Sequence, residues 1–117
     1  MIQRRAKETE QFAAIMDMRL VLVTHPNREH AQKIARSVID AKLAACVLMA
    51  DTKSFYNWEG QFNEDDEVIT LLKTSTDKVA KLEQYIEENH DYDVPAIITL
   101  QANANQSYGT WLYQQLS

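Results

Sequence analysis

The pattern of hydrophobic and polar positions changes period several times along the chain, and each change marks a predicted element. The run "RLVLVTH" (19–25) is rich in β-branched and aliphatic residues and stops at Pro26, which predicts a buried strand. Asn27 can then cap a helix with apolar residues at i, i+3, i+4, i+7 and i+8. This spacing predicts an inward face made of Ala31, Ile34, Ala35, Val38 and Ile39.

A second strand pattern begins at "AACVLMA" (44–50) and continues without Pro or Gly to a turn at Glu59 and Gly60. The return arm, residues 61–74, ends in "EVITLLKT", where Val68, Thr70 and Leu72 share one face. The two arms predict a long hairpin. A bulge at residues 50–52, folding the arm back over its own core, is the alternative.

The second half of the chain repeats the helix and strand patterns. Thr76 is the predicted N-cap of a helix that ends near Asn89 or His90, with an inward stripe of Val79, Leu82, Tyr85 and Ile86. Because Pro95 disfavours helix at the preceding residue, "AIITLQA" (96–102) is predicted as a fourth strand. A short last helix is predicted from Tyr108, Trp111, Leu112 and Leu116, although Gly109 weakens the signal for its start.

The predicted order β-α-β-β-α-β-α is typical of the α+β ferredoxin-like fold, with four antiparallel strands and both main helices on one face. A chain of 117 residues suffices for one domain, which we assign to residues 18–117. Residues 1–17 mix charges with a short apolar patch and are assigned as an N-terminal extension.

The predicted hairpin is longer than the sheet that carries it. Residues 44–58 would extend over roughly 50 Å at about 3.3 Å per residue, whereas the first and fourth strands offer about half as many residues. The protruding part carries four aromatic residues, which are costly to leave in water: Phe55, Tyr56, Trp58 and Phe62. We therefore predict that copies of the chain cover one another's hairpins in a closed ring.

Composition and charge narrow the range of partners. Twelve Lys and Arg against seventeen Asp and Glu give a net charge of -5, which disfavours nucleic acid. We find no signal-peptide core and no stretch that approaches a membrane span, so a cytoplasmic protein is expected. Cys46 is the single cysteine, which excludes an intrachain disulfide.

Known catalytic motifs such as G-x-S-x-G, H-E-x-x-H and the P-loop are absent, so no enzyme activity is predicted.

Five segments in order resemble the CutA, or divalent-cation tolerance, family: "KLAACV" (42–47), "YNWEG" (56–60), "EVITLLKT" (67–74), "HDYDVP" (90–95) and "YGTWL" (108–112). The resemblance spans residues 19–116. It implies a ferredoxin-like subunit in a tight trimer, similar in build to the PII signalling proteins, with the extended hairpins forming much of the contact. It also implies a role in tolerance to divalent metal ions, with copper as the ion linked to some members.

His90 matches the family histidine and is the main metal-ligand candidate, since a neutral imidazole binds Cu, Zn and Ni ions well. A solvent-facing histidine at a helix end is the alternative. Asp91 and Asp93 are weaker candidates as oxygen ligands. Cys46 matches the family "AAC" cysteine, but its apolar neighbours favour a packed, inert thiol.

Three positions depart from the family pattern and weaken a preformed copper site. Val23 stands where some members place a cysteine, Asn89 where some place a second histidine, and Asp91 where a proline is usual. His25 and His30 have no family match, and we predict that they are surface residues flanking the first helix.

A second candidate site consists of Trp58, Glu59, Lys73 and Tyr92, which match family motifs and would converge near a subunit boundary. A cleft there could hold a small ligand or anion, with Lys73 supplying charge and the Tyr92 hydroxyl a hydrogen bond. Alternatively, Glu59 and Lys73 form an ion pair across the interface between subunits, and the two aromatic residues anchor that interface.

Three hypotheses follow. The first is a non-enzymatic, trimeric protein of divalent-ion homeostasis that binds copper or another divalent ion weakly and uses no organic cofactor. The second is a PII-like sensor with a small ligand in the cleft between subunits. The third is a scaffold trimer that binds neither.

Overall fold

Seven elements follow one another in the predicted order, as a computed structural model that describes residues 15–117 shows. They are β1 (Met16–His25), α1 (Arg28–Asp40), β2 (Cys46–Trp58), β3 (Gln61–Thr74), α2 (Val79–Asn89), β4 (Ile97–Ala104) and α3 (Gln106–Gln115). The four strands form one antiparallel sheet in the order β2-β3-β1-β4. The predicted α+β class and ferredoxin-like order are confirmed. Among the described residues, no helix is long and apolar enough to cross a membrane.

The main core lies between the sheet and the two longer helices. Alternate residues of β1 and β3 face α1 and α2, so that Val21, Val23 and Leu72 are buried against the inward helix residues Ile34, Val38, Leu82 and Ile86. This face agrees with the predicted helix stripes except at Ile39, which is 42% exposed on the outer side of α1. Ile39 follows Val38 directly, and the angular spread of a helix turns it away from the sheet.

A smaller core lies on the opposite face of the sheet, at the end where α3 packs. Met18 and Ala104 are buried there together with Leu112 and Leu116. Gly109 is explained by this contact, because a Cβ at that position would lie 2.7 Å from the Cβ of Met16. The glycine that weakened the prediction of a helix is thus the residue that lets α3 approach β1.

The starts of β1 and α2 differ from the predictions, and β2 and β4 are each shifted by one or two residues at their ends. β1 begins at Met16, because Met16 and Asp17 pair with Ala104 and Asn103 of β4. The last two residues of the predicted extension are therefore part of the sheet, while residues 1–14 lie outside the described residues. The predicted N-cap at Thr76 is wrong: Ser75 accepts the amide N–H of Lys78 through its hydroxyl, and α2 begins at Val79 after an intervening turn.

The hairpin of β2 and β3 runs without interruption from Cys46↔Lys73 to Trp58↔Gln61, in one constant register. A bulge at residues 50–52 is therefore ruled out. The last pair between β1 and β3 is His25↔Val68, so residues 52–67 extend past the sheet as a two-stranded ribbon. This ribbon gives the molecule its elongated dimensions of 56 × 24 × 23 Å. Four aromatic side chains of the ribbon are exposed in a single chain, as we predicted from the excess length of the hairpin: Phe55, Tyr56, Trp58 and Phe62.

Candidate metal centre and aromatic pocket

His90 lies where the chain leaves α2 and returns to the sheet. It follows Asn89, the last residue of α2, in an extended conformation. The connection ends at Ile97, whose partner in the sheet is Val23, so it passes beside the end of β1. There His90 Nε2 donates to the carbonyl oxygen of Thr24 at 2.7 Å, and His90 Nδ1 accepts the backbone N–H of Tyr92 at 3.1 Å. His90 is thus half-buried and anchored to β1 rather than facing solvent.

The prediction that His25 and His30 are surface residues is wrong. His25 is fully buried and the side chain of His30 is 10% exposed. The spacing of these two residues from their buried neighbours already indicated burial, and the prediction did not use it. His25 follows Val21 and Val23 at the spacing of one strand face, and His30 precedes Ile34 and Val38 at the spacing of one helix face.

The three histidines form one cluster at this end of the sheet. One ring nitrogen from each of His25, His30 and His90 lies within 4.8 Å of the other two. The ring centroids are 4.6 to 5.4 Å apart. His25 Nδ1 lies 2.9 Å from His30 Nδ1, and His25 Nε2 lies 2.7 Å from the hydroxyl oxygen of Thr70.

Two of the three rings, those of His25 and His30, are held in their neutral form. Burial, with the neighbouring imidazoles of His30 and His90, lowers the pKa of His25 to about 4. Burial is also the main cause that lowers the pKa of His30, opposed by the carboxylate of Asp91. At neutral pH these two rings are therefore uncharged, and an uncharged imidazole is the form that binds a transition metal.

The other predicted metal ligands contribute little to this cluster directly. The exposed carboxylate of Asp91 lies 3.9 Å from His30 Nε2, at its edge. Asp93 instead lines the pocket described below. Val23 is buried in the main core, and the side-chain amide of Asn89 donates to the carbonyl of Tyr85, so neither position supplies a ligand.

Cys46 is remote from the histidines and less buried than predicted. It is half-buried at the start of β2, an edge strand, opposite Lys73. Opposed residues share a face of the sheet, and Lys73 alternates with the inward-facing Leu72 and Thr74. Cys46 therefore lies on the face opposite the histidine cluster.

A cavity of about 410 Å³ lies between the ribbon and the connection into β4. Its walls come from Tyr56 and Trp58 on β2, Glu67 on β3 and Tyr92 in the connection, together with Thr24, Asp93, Val94 and Ala96. The carboxylate of Glu67 accepts hydrogen bonds from the hydroxyls of Tyr92 and Ser54, each at 2.5 Å. Burial and the bond to Glu67 raise the pKa of Tyr92, which keeps its phenol protonated.

Only two of the four residues predicted to converge here do so within one chain. Trp58 and Tyr92 line the cavity, whereas Glu59 lies exposed at the turn of the ribbon. Lys73 is at the far end of β3, where its ammonium lies 3.2 Å from the hydroxyl of Tyr108 and 5.0 Å from the centre of that ring. Within one chain Glu59 and Lys73 form no ion pair, so a pair across a subunit boundary stays a prediction, and the charges on the cavity wall are those of Glu67 and Asp93.

Comparison with known proteins gives consistent matches over most of the chain. The family model of the CutA1 divalent ion tolerance protein matches residues 19–115. The divalent-cation tolerance protein CutA of Pyrococcus horikoshii is 38% identical over 99 residues, which cover 84% of this chain and 97% of that protein. The chloroplastic CutA protein of Arabidopsis thaliana is 39% identical over 95 residues, which cover 80% of this chain and 52% of that protein.

A solved structure shows the same architecture. The structure of CutA from Synechococcus elongatus matches with a TM-score of 0.85 and 29% identity, covering 90% of this chain and 97% of that one. The similarity therefore extends from short motifs to the whole fold.

Proposed function

The chain belongs to the CutA1 divalent ion tolerance protein family, and we propose that it acts in tolerance to divalent metal ions as a non-enzymatic homotrimer that binds such ions weakly. The observation that supports metal binding is the position of His90 beside two further imidazoles at the end of β1. Copper(II) is a suitable test ion, because it ranks highest in affinity for nitrogen ligands among the divalent first-row metals.

Titration of chelator-stripped protein with Cu(II) tests this role at its molecular site. The His90→Ala variant is expected to bind the ion at least ten-fold more weakly, and an Asn89→Ala variant, altered one position earlier, is expected to bind as the unaltered chain does. Equal binding by all three proteins would remove His90 from the site.

Trimer formation is supported by the surfaces that a single chain leaves uncovered. The ribbon exposes four aromatic side chains, and the sheet face opposite α1 and α2 exposes Leu48, Ile98 and Leu100. Apolar area of this kind is ordinarily covered in an assembly. Light scattering at micromolar concentration is expected to give three times the mass of one chain, and a stable single chain would contradict the proposal.

A binding role rather than catalysis is supported by the geometry around His25. The hydroxyl of Thr70, 2.7 Å from His25 Nε2, resembles a nucleophile beside its base. However, Thr70 is 1% exposed, so a substrate cannot reach that hydroxyl.

A PII-like ligand role is the second candidate, and the aromatic pocket is the observation that favours it. The charged groups in the pocket are carboxylates, and its other walls include aromatic rings. In a single chain the pocket therefore favours a small organic cation over an anion. Thermal-shift screening against amines and anionic metabolites tests this role. A stabilising amine whose effect is lost in Glu67→Gln and retained in Lys73→Ala would favour it. If the protein binds neither a metal ion nor a metabolite specifically, the third hypothesis, a scaffold trimer, is favoured.

A further inference from the structure

The Nε2 atoms of the three histidines have similar surroundings, and this pattern extends the proposed metal-binding role. In each ring Nε2 faces an oxygen atom: the Thr70 hydroxyl for His25, the Thr24 carbonyl for His90 and the Asp91 carboxylate for His30. Metal-binding histidines are typically oriented in this way, with the second ring nitrogen donating to a carboxylate, carbonyl or hydroxyl outside the coordination sphere. The pattern leaves the Nδ1 atoms of His25 and His30 facing each other.

The contact between those two Nδ1 atoms fits a shared proton as it stands and is close to the separation that a shared metal ion requires. At 2.9 Å it is the length of an N–H···N hydrogen bond, so one proton lies between the rings when no metal is bound. Two nitrogens that bind one Zn²⁺ ion at about 2.05 Å and at the tetrahedral angle are roughly 3.3 Å apart, so the two rings need to separate by only about 0.4 Å to admit the ion. If both protons reside on the Nε2 atoms, the lone pairs of His25 and His30 point at a shared position.

His30 carries the one unsatisfied nitrogen of the cluster. Its Nε2 atom is buried and has no hydrogen-bond partner among the described residues. The nearest acceptor, the Asp91 carboxylate, is 3.9 Å away, which is too far for a hydrogen bond. A buried polar atom without a partner is costly. Shifting the His30 proton onto Nε2 and drawing Asp91 toward it would satisfy this atom, and metal binding at Nδ1 drives that shift.

His90 can supply the third nitrogen at the cost of one hydrogen bond. Its bond to Thr24 is 2.7 Å long, whereas the bond from the Tyr92 N–H is 3.1 Å and joins residues only two positions apart. Metal binding through His90 Nδ1 would therefore keep the bond from Nε2 to Thr24 and break the hydrogen bond from the Tyr92 N–H. Because the ring must give up this bond, the site is weaker than one whose ligands are free.

We propose that His25, His30 and His90 together bind a single borderline divalent cation, such as Zn²⁺, Ni²⁺ or Cu²⁺, with the carboxylate of Asp91 orienting His30 from outside. This inference rests on the proposed metal-binding function and completes its ligand set. Three imidazoles with one peripheral carboxylate disfavour Mg²⁺ and Ca²⁺, which require mostly oxygen ligands. The ligand set also explains how the chain binds an ion without a cysteine or second histidine at Val23 and Asn89.

Calorimetric titration of the chelator-stripped full chain with Zn²⁺ at neutral pH measures the site. The expected stoichiometry is one ion per chain, with no competition from a hundred-fold excess of Ca²⁺. His30→Gln is expected to lower the affinity at least ten-fold. Asp91→Asn, a change at an exposed side chain that leaves the core intact, is expected to lower it about ten-fold, as loss of an orienting partner does. Asp93→Asn, the matched control, is expected to leave the affinity unchanged.

Electron paramagnetic resonance of the Cu²⁺-loaded chain counts the nitrogen ligands independently. Three nitrogens are expected in the unaltered protein and two in His30→Gln. Binding that is lost in His90→Ala but unchanged in His30→Gln and Asp91→Asn would overturn the three-histidine site and leave the proposed function standing. Zn²⁺ binding that is equal in all variants would overturn both.

Discussion

At the scale of single residues, His25 shows how far one side chain can depart from its sequence context. It is the last residue of β1, beside Pro26, where the chain enters a connection, and connections usually run over the surface. Its strand parity with Val21 and Val23 places it in the interior instead, against Thr70. Thr70 in turn shares the buried face of β3 with Val68 and Leu72. The polar pair is thus enclosed by apolar neighbours on both strands.

The buried His25 should make stability depend on pH. Its pKa is lowered from 6.5 to about 4, so the unfolded chain takes up this proton first as the pH falls. We expect this stability to be fully present above about pH 6.5 and lost progressively down to about pH 4, by up to about 3 kcal/mol. Urea unfolding with chelator across this range measures it.

His25→Gln is the comparison for that experiment, because it removes the group that titrates. Its free energy of unfolding should fall less between pH 7 and pH 5 than that of the unaltered chain. His30, whose pKa is also lowered, contributes in the same direction. Stability of the unaltered chain that does not change between pH 7 and pH 5 would contradict the expectation.

Tyr92 joins the connection into β4 to the ribbon through Glu67, and this bond should contribute to stability. Tyr92→Phe leaves the half-buried carboxylate with the Ser54 hydroxyl alone, which we expect to cost roughly 1 to 2 kcal/mol in chemical unfolding. Tyr56→Phe removes a similar bond to Asp65 at an exposed position, where the expected cost is below about 0.5 kcal/mol. Equal costs for the two variants would contradict the role of burial.

At the scale of elements, most of the fold could be predicted because each period in the sequence is long and ends in a clear breaker. The inward stripe of α2 was predicted correctly from Leu82 and Ile86. Local patterns could not reveal that the connection after His90 returns beside β1. That proximity depends on the pairing of Ile97 with Val23, which is a property of the whole sheet. The approach of His90 to His25 and His30 was missed for this reason, although the burial of His25 and His30 themselves had a local signal.

The turn of the ribbon provides a direct test of its backbone geometry. Glu59 and Gly60 both have positive φ, 50° and 79°, as a two-residue type I′ turn requires. Asn tolerates this conformation better than Glu does, so Glu59→Asn should raise the free energy of unfolding by about 0.5 to 1 kcal/mol.

Gly60→Ala should lower the free energy of unfolding by about 1 kcal/mol through the backbone alone, since a Cβ there meets no atom within 4 Å. A neutral Gly60→Ala would contradict the assigned turn.

At the scale of the whole molecule, the two faces of the sheet differ in how they are covered. Helices α1 and α2 cover one face, while α3 covers only the end of the other that includes Met18. Leu48, Ile98 and Leu100 are 51%, 51% and 45% exposed on the remainder. Three large aliphatic side chains on one open face favour an interface, which a single sequence window could not show because they come from β2 and β4.

Charges placed on that open face should separate the subunits of the proposed trimer. The double variant Leu48→Asp, Leu100→Asp is expected to have the mass of one chain in light scattering, since an interface core does not tolerate unpaired carboxylates. Ile39→Asp is the matched control, because Ile39 is similarly exposed but lies on α1. Dissociation of the control, or an unchanged mass of the double variant, would place the interface elsewhere.

The central position of β1 in the sheet has a consequence for biosynthesis. β1 is made first, but its neighbours come from residues 61–74 and 97–104. The strands of the hairpin are separated by only a two-residue turn and can pair as soon as both are made. Met16 of β1, in contrast, can pair with Ala104 only after residue 104 has left the ribosome. Local contacts form faster than distant ones. A nascent chain therefore holds an open strand edge for most of its translation, and that interval is when holding chaperones have a surface to bind.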